Sequence, residues 1–238
     1  MNTIGFIHSI ETGAMVDGPG IRYAVFLQGC PLRCKYCHNP DTWERGIKEE
    51  MTVAELVTDI KKYRSFMKFS GGGVTITGGE PLAQPEFLLE LLEELEKNKL
   101  HVALDTSGFA SETVVSEILP LVDLLILDIK SIDPEEYQNA VGVPIEPMLR
   151  TLKMAKELGI TTWVRYVMVP GLTDNFDNIK ALALYLRDYD NIKKIEVLPF
   201  HKMGEYKWAE LGLTYELKNT REPNVEDVDR AKSILGIG

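Results

Sequence analysis

Three cysteines, Cys30, Cys34 and Cys37, lie within eight residues and are all the cysteines that the chain contains. An odd number of thiols packed this closely is not a disulfide framework, so the spacing C-x3-C-x2-C indicates metal or redox chemistry. A structural zinc ion would need a fourth ligand, and His38 adjoins Cys37, although neighbouring side chains rarely reach the same ion. A four-iron cluster normally takes four cysteines, so here one iron would keep an open position for a substrate or cofactor.

Polar groups also follow most of the strands that the sequence predicts. Those strands cover residues 21–28, 73–77, 101–106, 123–129, 161–169 and 193–199. The groups at their carboxyl ends include Cys30, Gly78-Gly79-Glu80, Asp105, Asp128 and His201. Because the carboxyl ends of parallel strands meet at one rim, we expect these groups to face a common ligand. Glycines at such a point let a ligand approach the backbone.

Helical patterns separate most of these strands. Apolar residues recur at helical spacing from Val53 to Ile60, behind a capping box of Thr52 and Glu55. A further helix begins at Pro85, and a last one spans residues 225–235. Alternating strands and helices predict right-handed βαβ units and an α/β fold with parallel strands. Six strands are too few to close an eight-stranded barrel, which leaves an open partial barrel or a doubly wound sheet.

Composition limits the partners and the location of the chain. Its 238 residues are 45% hydrophobic, with 36 acidic and 26 basic side chains and a net charge of −10. The acidic balance argues against a nucleic-acid partner. No apolar run is long enough to span a bilayer and no secretory signal precedes the first strand, so we expect a cytoplasmic protein with no membrane partner. Without a heptad pattern or a long apolar edge, a monomer is expected.

The sequence resembles the radical S-adenosylmethionine superfamily, whose two main motifs are the C-x3-C-x2-C loop and a Gly-Gly-Glu-Pro strand end, here at 78–81. Within it, the chain is similar to the enzymes that activate glycyl-radical enzymes. The matching segments are HS at 8–9, DGPGIR at 17–22, FLQGCPLRCKYCHNPDTW at 26–43, LDTSGF at 104–109, LDIK at 127–130, RYVMVPG at 165–171 and LPFHKMGEYKW at 198–208. The chain has no inserted ferredoxin-like segment with extra cysteines, which favours the type that acts on pyruvate formate-lyase.

The resemblance implies a (β/α)6 partial, open TIM-type barrel. It implies a single radical S-adenosylmethionine domain over residues 1–238, with a cluster loop at 30–37, a core barrel at about 21–200 and a C-terminal extension at about 201–238. It also implies a reaction in which a reduced 4Fe-4S cluster cleaves S-adenosylmethionine. The resulting 5′-deoxyadenosyl radical removes a hydrogen atom from a glycine α-carbon of pyruvate formate-lyase, the protein substrate. Flavodoxin or ferredoxin is the implied electron donor.

The resemblance also implies the site residues. Three irons would be held by Cys30, Cys34 and Cys37. Contacts with S-adenosylmethionine are implied for Tyr36, Cys37, His38, Gly78, Gly79, Glu80, Asp128, Ile129, Lys130 and His201. The substrate peptide would lie beside Asp17 and Gly18.

Asp105 and Arg165 are two further charged residues that we expect at the same site. Asp105 together with Asp128 suits a monovalent cation, Na⁺ or K⁺, because two acids beside the cofactor carboxylate would otherwise repel one another. Arg165 lies on an alternating strand and points into the barrel. It either pairs with a carboxylate in the core or faces the cofactor, and the sequence does not choose between them.

Two other functions remain open. The first is a radical S-adenosylmethionine enzyme that acts on another glycyl-radical enzyme or on a small molecule, and the DGPGIR segment at 17–22 disfavours this alternative. The second is a binding module stabilised by zinc. It accounts for the cysteines but not for the polar groups at the strand ends.

Overall fold

A computed structural model describes residues 2–237; Met1 and Gly238, the outermost residues of the expected domain, lie outside the described residues. The strands are β1 (Ile4–Ala14), β2 (Arg22–Leu27), β3 (Glu49–Thr52), β4 (Gly73–Gly78), β5 (Val102–Thr106), β6 (Leu124–Asp128), β7 (Thr161–Met168) and β8 (Ile192–Pro199). The helices are α1 (Val53–Lys62), α2 (Arg64–Ser70), α3 (Pro85–Lys97), α4 (Glu112–Ile118), α5 (Pro134–Val141), α6 (Glu146–Glu157), α7 (Phe176–Leu186), α8 (Glu205–Glu210) and α9 (Val225–Ile234).

The strands form one sheet in the order β3-β1-β2-β4-β5-β6-β7-β8. From β2 to β8 every neighbouring pair is parallel, as βαβ units require. A side chain from each of these six strands lines one cavity, so the sheet curves around it, and β8 stays at an open edge. The predicted α/β fold is therefore confirmed as an open partial barrel.

The sequence analysis missed two strands. The first, β1, runs antiparallel to both β2 and β3. Its residues are mostly exposed or half-buried, and its pairing with β2 shifts register twice, so it carries no clean alternation of apolar and polar side chains. The second, β3, is four residues long and fully buries none of them. The described part of the sheet thus has eight strands. The predicted number of six strands was wrong for the whole sheet but correct for its parallel part.

The helices cover the outside of the curved sheet. Helix α1 begins at the predicted capping box, in which the Glu55 amide donates to Thr52 Oγ1 at 3.3 Å and the Thr52 amide donates to Glu55 Oε2 at 2.8 Å. Helix α3 buries Leu88, Leu91 and Leu95 on one face. Burying each such leucine contributes about 2 kcal/mol, which holds the helix on the sheet.

The segment after β8 folds back over the carboxyl ends of the strands. Helix α8 contacts the short helical turn at Pro40–Thr42, and α9 packs against α7 and β8. This segment is the C-terminal extension expected from about residue 201. Among residues 2–237, no helix is both long enough and apolar enough to cross a membrane.

Candidate active site

One cavity of about 410 Å³ lies at the carboxyl ends of the parallel strands. Every parallel strand lines it with at least one residue, among them Phe26, Thr77, Asp105, Asp128, Arg165 and Leu198. The three cysteines line it as well. Its volume is in the range of small-molecule sites, so the predicted meeting of strand-end groups at one ligand site is borne out by the geometry.

Backbone hydrogen bonds join the two ends of the cysteine loop. The Gly29 amide donates to the Thr42 oxygen at 2.7 Å, and the Cys30 amide donates to the Trp43 oxygen at 3.1 Å. All three thiols are free. Burial raises the pKa of Cys30 to about 12 and raises that of Cys34 further. Such thiols stay protonated at neutral pH unless a positive centre replaces the proton, so they suit a site at which metal binding makes thiolates.

The contacts of His38 do not suit a fourth ligand of a zinc ion. Its Nε2 lies 3.1 Å from the backbone oxygen of His201, and the two imidazole rings meet edge to face at 4.0 Å between centroids. Within residues 2–237, no three Cys, His, Asp or Glu side chains are close enough to hold a single metal ion. Both histidines line the cavity, where the sequence analysis expected them.

The Gly-Gly-Glu turn joins β4 to the cysteine loop. Gly78 has φ +114°, and a Cβ there would lie 2.2 Å from the Leu27 nitrogen. A Cβ at Gly79 would lie 2.5 Å from the Gly29 oxygen. Larger residues are therefore excluded at both positions, and the two glycines present bare backbone to the cavity.

The Glu80 side chain lies outside the cavity. Its side chain is buried and accepts hydrogen bonds from Thr106 Oγ1 at 2.5 Å, from the Ser107 amide at 2.9 Å and from the Leu82 amide at 3.0 Å, and also from the Ser107 hydroxyl. Burial raises the pKa of this carboxyl, and the hydrogen bonds oppose that rise. The carboxylate positions the turn against the end of β5 and does not line the cavity.

Arg165 both pairs with carboxylates and lines the cavity. Its Nη1 lies 2.8 Å from Asp105 Oδ2 and 4.0 Å from Asp17 Oδ1, and its Nε lies 3.2 Å from Glu196 Oε2. Burial raises the pKa of Asp105 to about 6, although the guanidinium acts in the opposite direction. Arg165 thus links strands β5, β7 and β8 to the loop that contains Asp17.

The LDIK segment contributes two charged groups and two core residues. Lys130 Nζ donates to Asp128 Oδ2, and the ammonium lies 5.7 Å from the centroid of the Tyr36 ring. Both residues of this ion pair line the cavity. Ile129, which was expected to contact the cofactor, is fully buried in the core and does not line the cavity.

The two predicted substrate residues differ in position. Asp17 lines the cavity, and burial raises its pKa. Gly18 does not line it, and a Cβ at that residue would lie 3.2 Å from Arg22 Nε.

Sequence reasoning missed the tryptophans behind the cysteine loop. Trp208 Nε1 donates to the Cys37 oxygen at 3.0 Å, and its ring meets Trp43 edge to face at 5.1 Å. Nearby, Asp41 Oδ2 lies 2.9 Å from His8 Nε2, and Asp41 Oδ1 lies 3.0 Å from Lys207 Nζ. All of these residues fall in the segments that resemble the family, but no sequence pattern shows which of them touch.

Comparison with known proteins decides the family. The Radical SAM superfamily model matches residues 24–183. The pyruvate formate-lyase 1-activating enzyme of Escherichia coli (strain K12) is 44% identical over 240 residues, which cover 99% of this chain and 96% of that protein. The chain belongs to the pyruvate formate-lyase-activating enzymes of the radical SAM superfamily. Another pyruvate formate-lyase-activating enzyme, from Staphylococcus aureus (strain USA300), is 43% identical over 95% of this chain and 93% of its own length.

Solved structures agree with this family. A domain of a pyruvate-formate lyase-activating enzyme from Bacteroides vulgatus superposes with a TM-score of 0.58 at 29% identity, over 69% of this chain and 93% of that one. Streptococcus suis SuiB bound to S-adenosylmethionine gives a TM-score of 0.65 at 16% identity, over 87% of this chain and 44% of that one. The second likeness concerns the fold alone.

Membership of the radical SAM superfamily implies a 4Fe-4S cluster and S-adenosylmethionine as cofactors. The cavity fits both. Three partly buried cysteines line it and can supply sulfur ligands. Within residues 2–237, the buried atoms Tyr36 Oη, Asp128 Oδ1 and His201 Nδ1 have no hydrogen-bond partner, and all three residues line the cavity. Buried polar atoms of this kind are normally satisfied, so a polar ligand between them would complete the site.

Proposed function

We propose that this chain activates pyruvate formate-lyase by removing a hydrogen atom from the α-carbon of one of its glycines. One observation carries the proposal: the three cysteines and Asp17 line the same cavity. A cofactor held by the cysteines would therefore share the cavity with a peptide that reaches Asp17. The printed names of the relatives in E. coli and S. aureus state this activity for those proteins. We take the chain as one domain in the cytoplasm.

In this proposal, Cys30, Cys34 and Cys37 hold three irons of the cluster. When bound, the reduced cluster and S-adenosylmethionine supply the one-electron cleavage that yields the hydrogen-abstracting 5′-deoxyadenosyl radical. The loop that carries the thiols is fixed by backbone hydrogen bonds to Thr42 and Trp43, so the ligands are preorganised. Flavodoxin or ferredoxin supplies the electron.

Other cavity residues would bind S-adenosylmethionine. The exposed backbone at Gly78 and Gly79 can accept hydrogen bonds from its ammonium group, because no side chain blocks the approach. Lys130 places a positive charge beside the Asp128 carboxylate and suits the cofactor carboxylate. The remaining contacts are proposed for Tyr36, Cys37, His38, Asp128 and His201, with Glu80 and Ile129 acting through their backbone or through packing.

A monovalent cation, Na⁺ or K⁺, is proposed between Asp105 and Asp128. Arg165 already neutralises one oxygen of Asp105, at 2.8 Å. Asp128 Oδ1 is buried and has no partner among the described residues. A cation there would stabilise both carboxylates next to an anionic ligand.

Asp17 and Gly18 would hold the substrate peptide. Arg165 Nη2 donates to the Val16 oxygen at 2.5 Å, which fixes the loop at the side of the cavity. A glycine is a suitable target for this site, because no side chain blocks its α-carbon and the α-radical is delocalised over both flanking amides.

The test is anaerobic purification followed by electron paramagnetic resonance with and without pyruvate formate-lyase. We expect a brown protein that contains iron, a cluster signal that changes when S-adenosylmethionine is added, and a stable organic radical on the partner. The Cys34→Ser variant should lose the cluster signal and the partner radical together. Zinc without iron in the wild type would contradict the proposal. A cluster signal and 5′-deoxyadenosine with no radical on the partner would mean that the substrate is another glycyl-radical enzyme or a small molecule.

A further inference from the structure

Helix α2 exposes two phenylalanines to solvent. Phe66 is 63% exposed and Phe69 is 95% exposed, and they lie three residues apart on one side of the helix, whereas Met67 is buried. Transferring one phenylalanine from water to an apolar contact contributes about 2 to 3 kcal/mol. Two neighbouring rings in water are therefore a surface that a partner could cover.

Two more apolar side chains are exposed near α2, at the amino ends of β2 and β4. Met15 is 77% exposed and Val16 is 75% exposed. They follow the end of β1, where Ala14 pairs with Arg22, and Arg22 in turn pairs with Gly73, just after α2. Adjacent strands lie about 4.8 Å apart, so the chain leaves β1 about 10 Å from where it enters β4.

Direct contacts join these two segments. The Ile21 amide donates to Ser70 Oγ at 2.9 Å, and a Cβ at Gly20 would lie 2.6 Å from the Ser70 oxygen. We call Met15, Val16, Phe66 and Phe69 the apolar rim. The two segments that carry the rim lie side by side at the amino ends of β2 and β4, because residues 20–21 pack on the last turn of the helix that carries both phenylalanines.

The apolar rim adjoins the cavity. Asp17, the next residue after Val16, lines the cavity, and its backbone oxygen accepts from Thr75 Oγ1 at 2.6 Å. Arg165, another lining residue, donates to the Val16 oxygen. A protein whose glycine reaches the cavity beside Asp17 would bring its own surface over the rim.

Charge narrows the kind of partner. The segment from Lys61 to Ser70 contains four basic residues and no acidic one, although the chain as a whole carries a net charge of −10. All four, Lys61, Lys62, Arg64 and Lys68, are exposed. Lys62 Nζ lies 2.8 Å from Asp59 Oδ1, so the basic charge of this face rests mainly on the other three. A local basic face on an acidic protein favours an acidic surface on the partner and disfavours a symmetric dimer in which this face meets itself.

We propose that the apolar rim, with the basic residues from Lys61 to Lys68, is the docking surface for the folded body of pyruvate formate-lyase around its glycine segment. The inference rests on the proposed function and adds where the partner binds. The partner surface is apolar and acidic. Contacts outside the cavity hold the two proteins together while the glycine occupies the cavity.

The test uses the double variant Phe66→Ala/Phe69→Ala in the cluster-loaded enzyme. We expect kcat/KM for radical formation on full-length pyruvate formate-lyase to fall about tenfold or more, as for aromatic residues at the centre of an interface. The rate at which the dithionite-reduced enzyme cleaves S-adenosylmethionine without any partner should not change. The matched control is Leu158→Ala/Leu184→Ala, which removes exposed apolar side chains at α6 and α7 and should leave both rates unchanged.

A second variant tests the charge. Arg64→Glu/Lys68→Glu should weaken activation most at low salt, and added salt should then lower activation less than in the wild type or raise it, because two attractive charges are replaced by repulsive ones. Unchanged kcat/KM in both double variants would overturn the docking surface while the wild type still supports the proposed function. A parallel loss of partner-free cleavage would also overturn it, since the defect would then lie in the cavity. A wild-type dimer in sedimentation that the phenylalanine variant abolishes would assign the rim to a second copy instead. No radical on the partner with the wild type would refute the proposed function itself.

Discussion

Replacing Glu80 with alanine should release the turn that carries Gly78 and Gly79 from the end of β5. The Glu80 carboxylate accepts two backbone amides, from Leu82 and Ser107, and two hydroxyls, from Thr106 and Ser107. In the variant these four donors stay in a buried region with no acceptor. The turn would then be held mainly by the amides of Gly79 and Glu80, which donate to the Leu27 and Gly29 oxygens at 2.8 Å each.

The expected cost follows from these contacts. A hydrogen bond to a charged group contributes about 1.5 to 3 kcal/mol, and four of them would give a large sum. Burial of the carboxylate opposes this gain, as the raised pKa of Glu80 indicates. Removing one side of a buried charged network costs about 3 to 5 kcal/mol, which we expect for the Glu80→Ala variant. Glu80→Gln keeps the shape and one oxygen, so it should cost less.

Urea unfolding of the cofactor-free protein measures the free energy of unfolding for the wild type and both variants. The affinity for S-adenosylmethionine, measured by calorimetry on the cluster-loaded enzyme, reports whether the turn has moved. We expect Glu80→Ala to lose both stability and affinity, and Glu80→Gln to lie between it and the wild type. A loss below about 1 kcal/mol in Glu80→Ala, the range of an exposed group, would refute the reasoning.

Three further predictions concern single side chains. Because burial raises the pKa of Asp105 to about 6, the folded state holds this proton more tightly than the unfolded chain, and its contribution to stability is lost as the pH rises from about 4 to about 7. In urea titrations, Asp105→Asn should therefore gain stability relative to the wild type over that range, and a constant difference would contradict this. Trp208→Phe should keep the ring contact but lose the bond to the Cys37 oxygen, lowering the free energy of unfolding by about 1 kcal/mol. Thr52→Ala should cost about 1 kcal/mol by removing the cap of α1, and equal urea midpoints would contradict it.

The six parallel strands could be predicted because each is a short segment rich in apolar residues, with polar or glycine residues at its carboxyl end or shortly after it. The same rule placed the cysteines, Asp105 and Asp128 at one edge of the sheet, where they line one cavity. The strand β1 escaped prediction because it covers the edge of the sheet and few of its residues are buried. Sequence patterns report burial more directly than pairing, and pairing without burial leaves little trace.

Side-chain direction within a motif was the other limit. Glu80 follows two cavity glycines and Ile129 follows a cavity aspartate, yet neither side chain reaches the cavity. At a turn, partners that are distant in sequence determine whether a side chain points into the cavity or away from it. For Glu80 those partners, Thr106 and Ser107, are 26 and 27 residues away. The sequence left open whether Arg165 pairs with a carboxylate or faces the cofactor; its guanidinium has several donors, so it pairs with Asp105 and Glu196 and still lines the cavity.

The contacts between the cysteine loop and the segment after β8 have a consequence for biosynthesis. Trp208 donates to the Cys37 oxygen across 171 residues of sequence, and the Nε2 atom of His38 meets the His201 oxygen across 163. A chain that leaves the ribosome from its N-terminus exposes all three cysteines long before either partner exists. Contacts of such long range also form slowly. We therefore expect the thiols of a nascent chain to be more open to air oxidation and to stray metal ions than those of the finished fold, and cluster insertion to follow translation of Trp208.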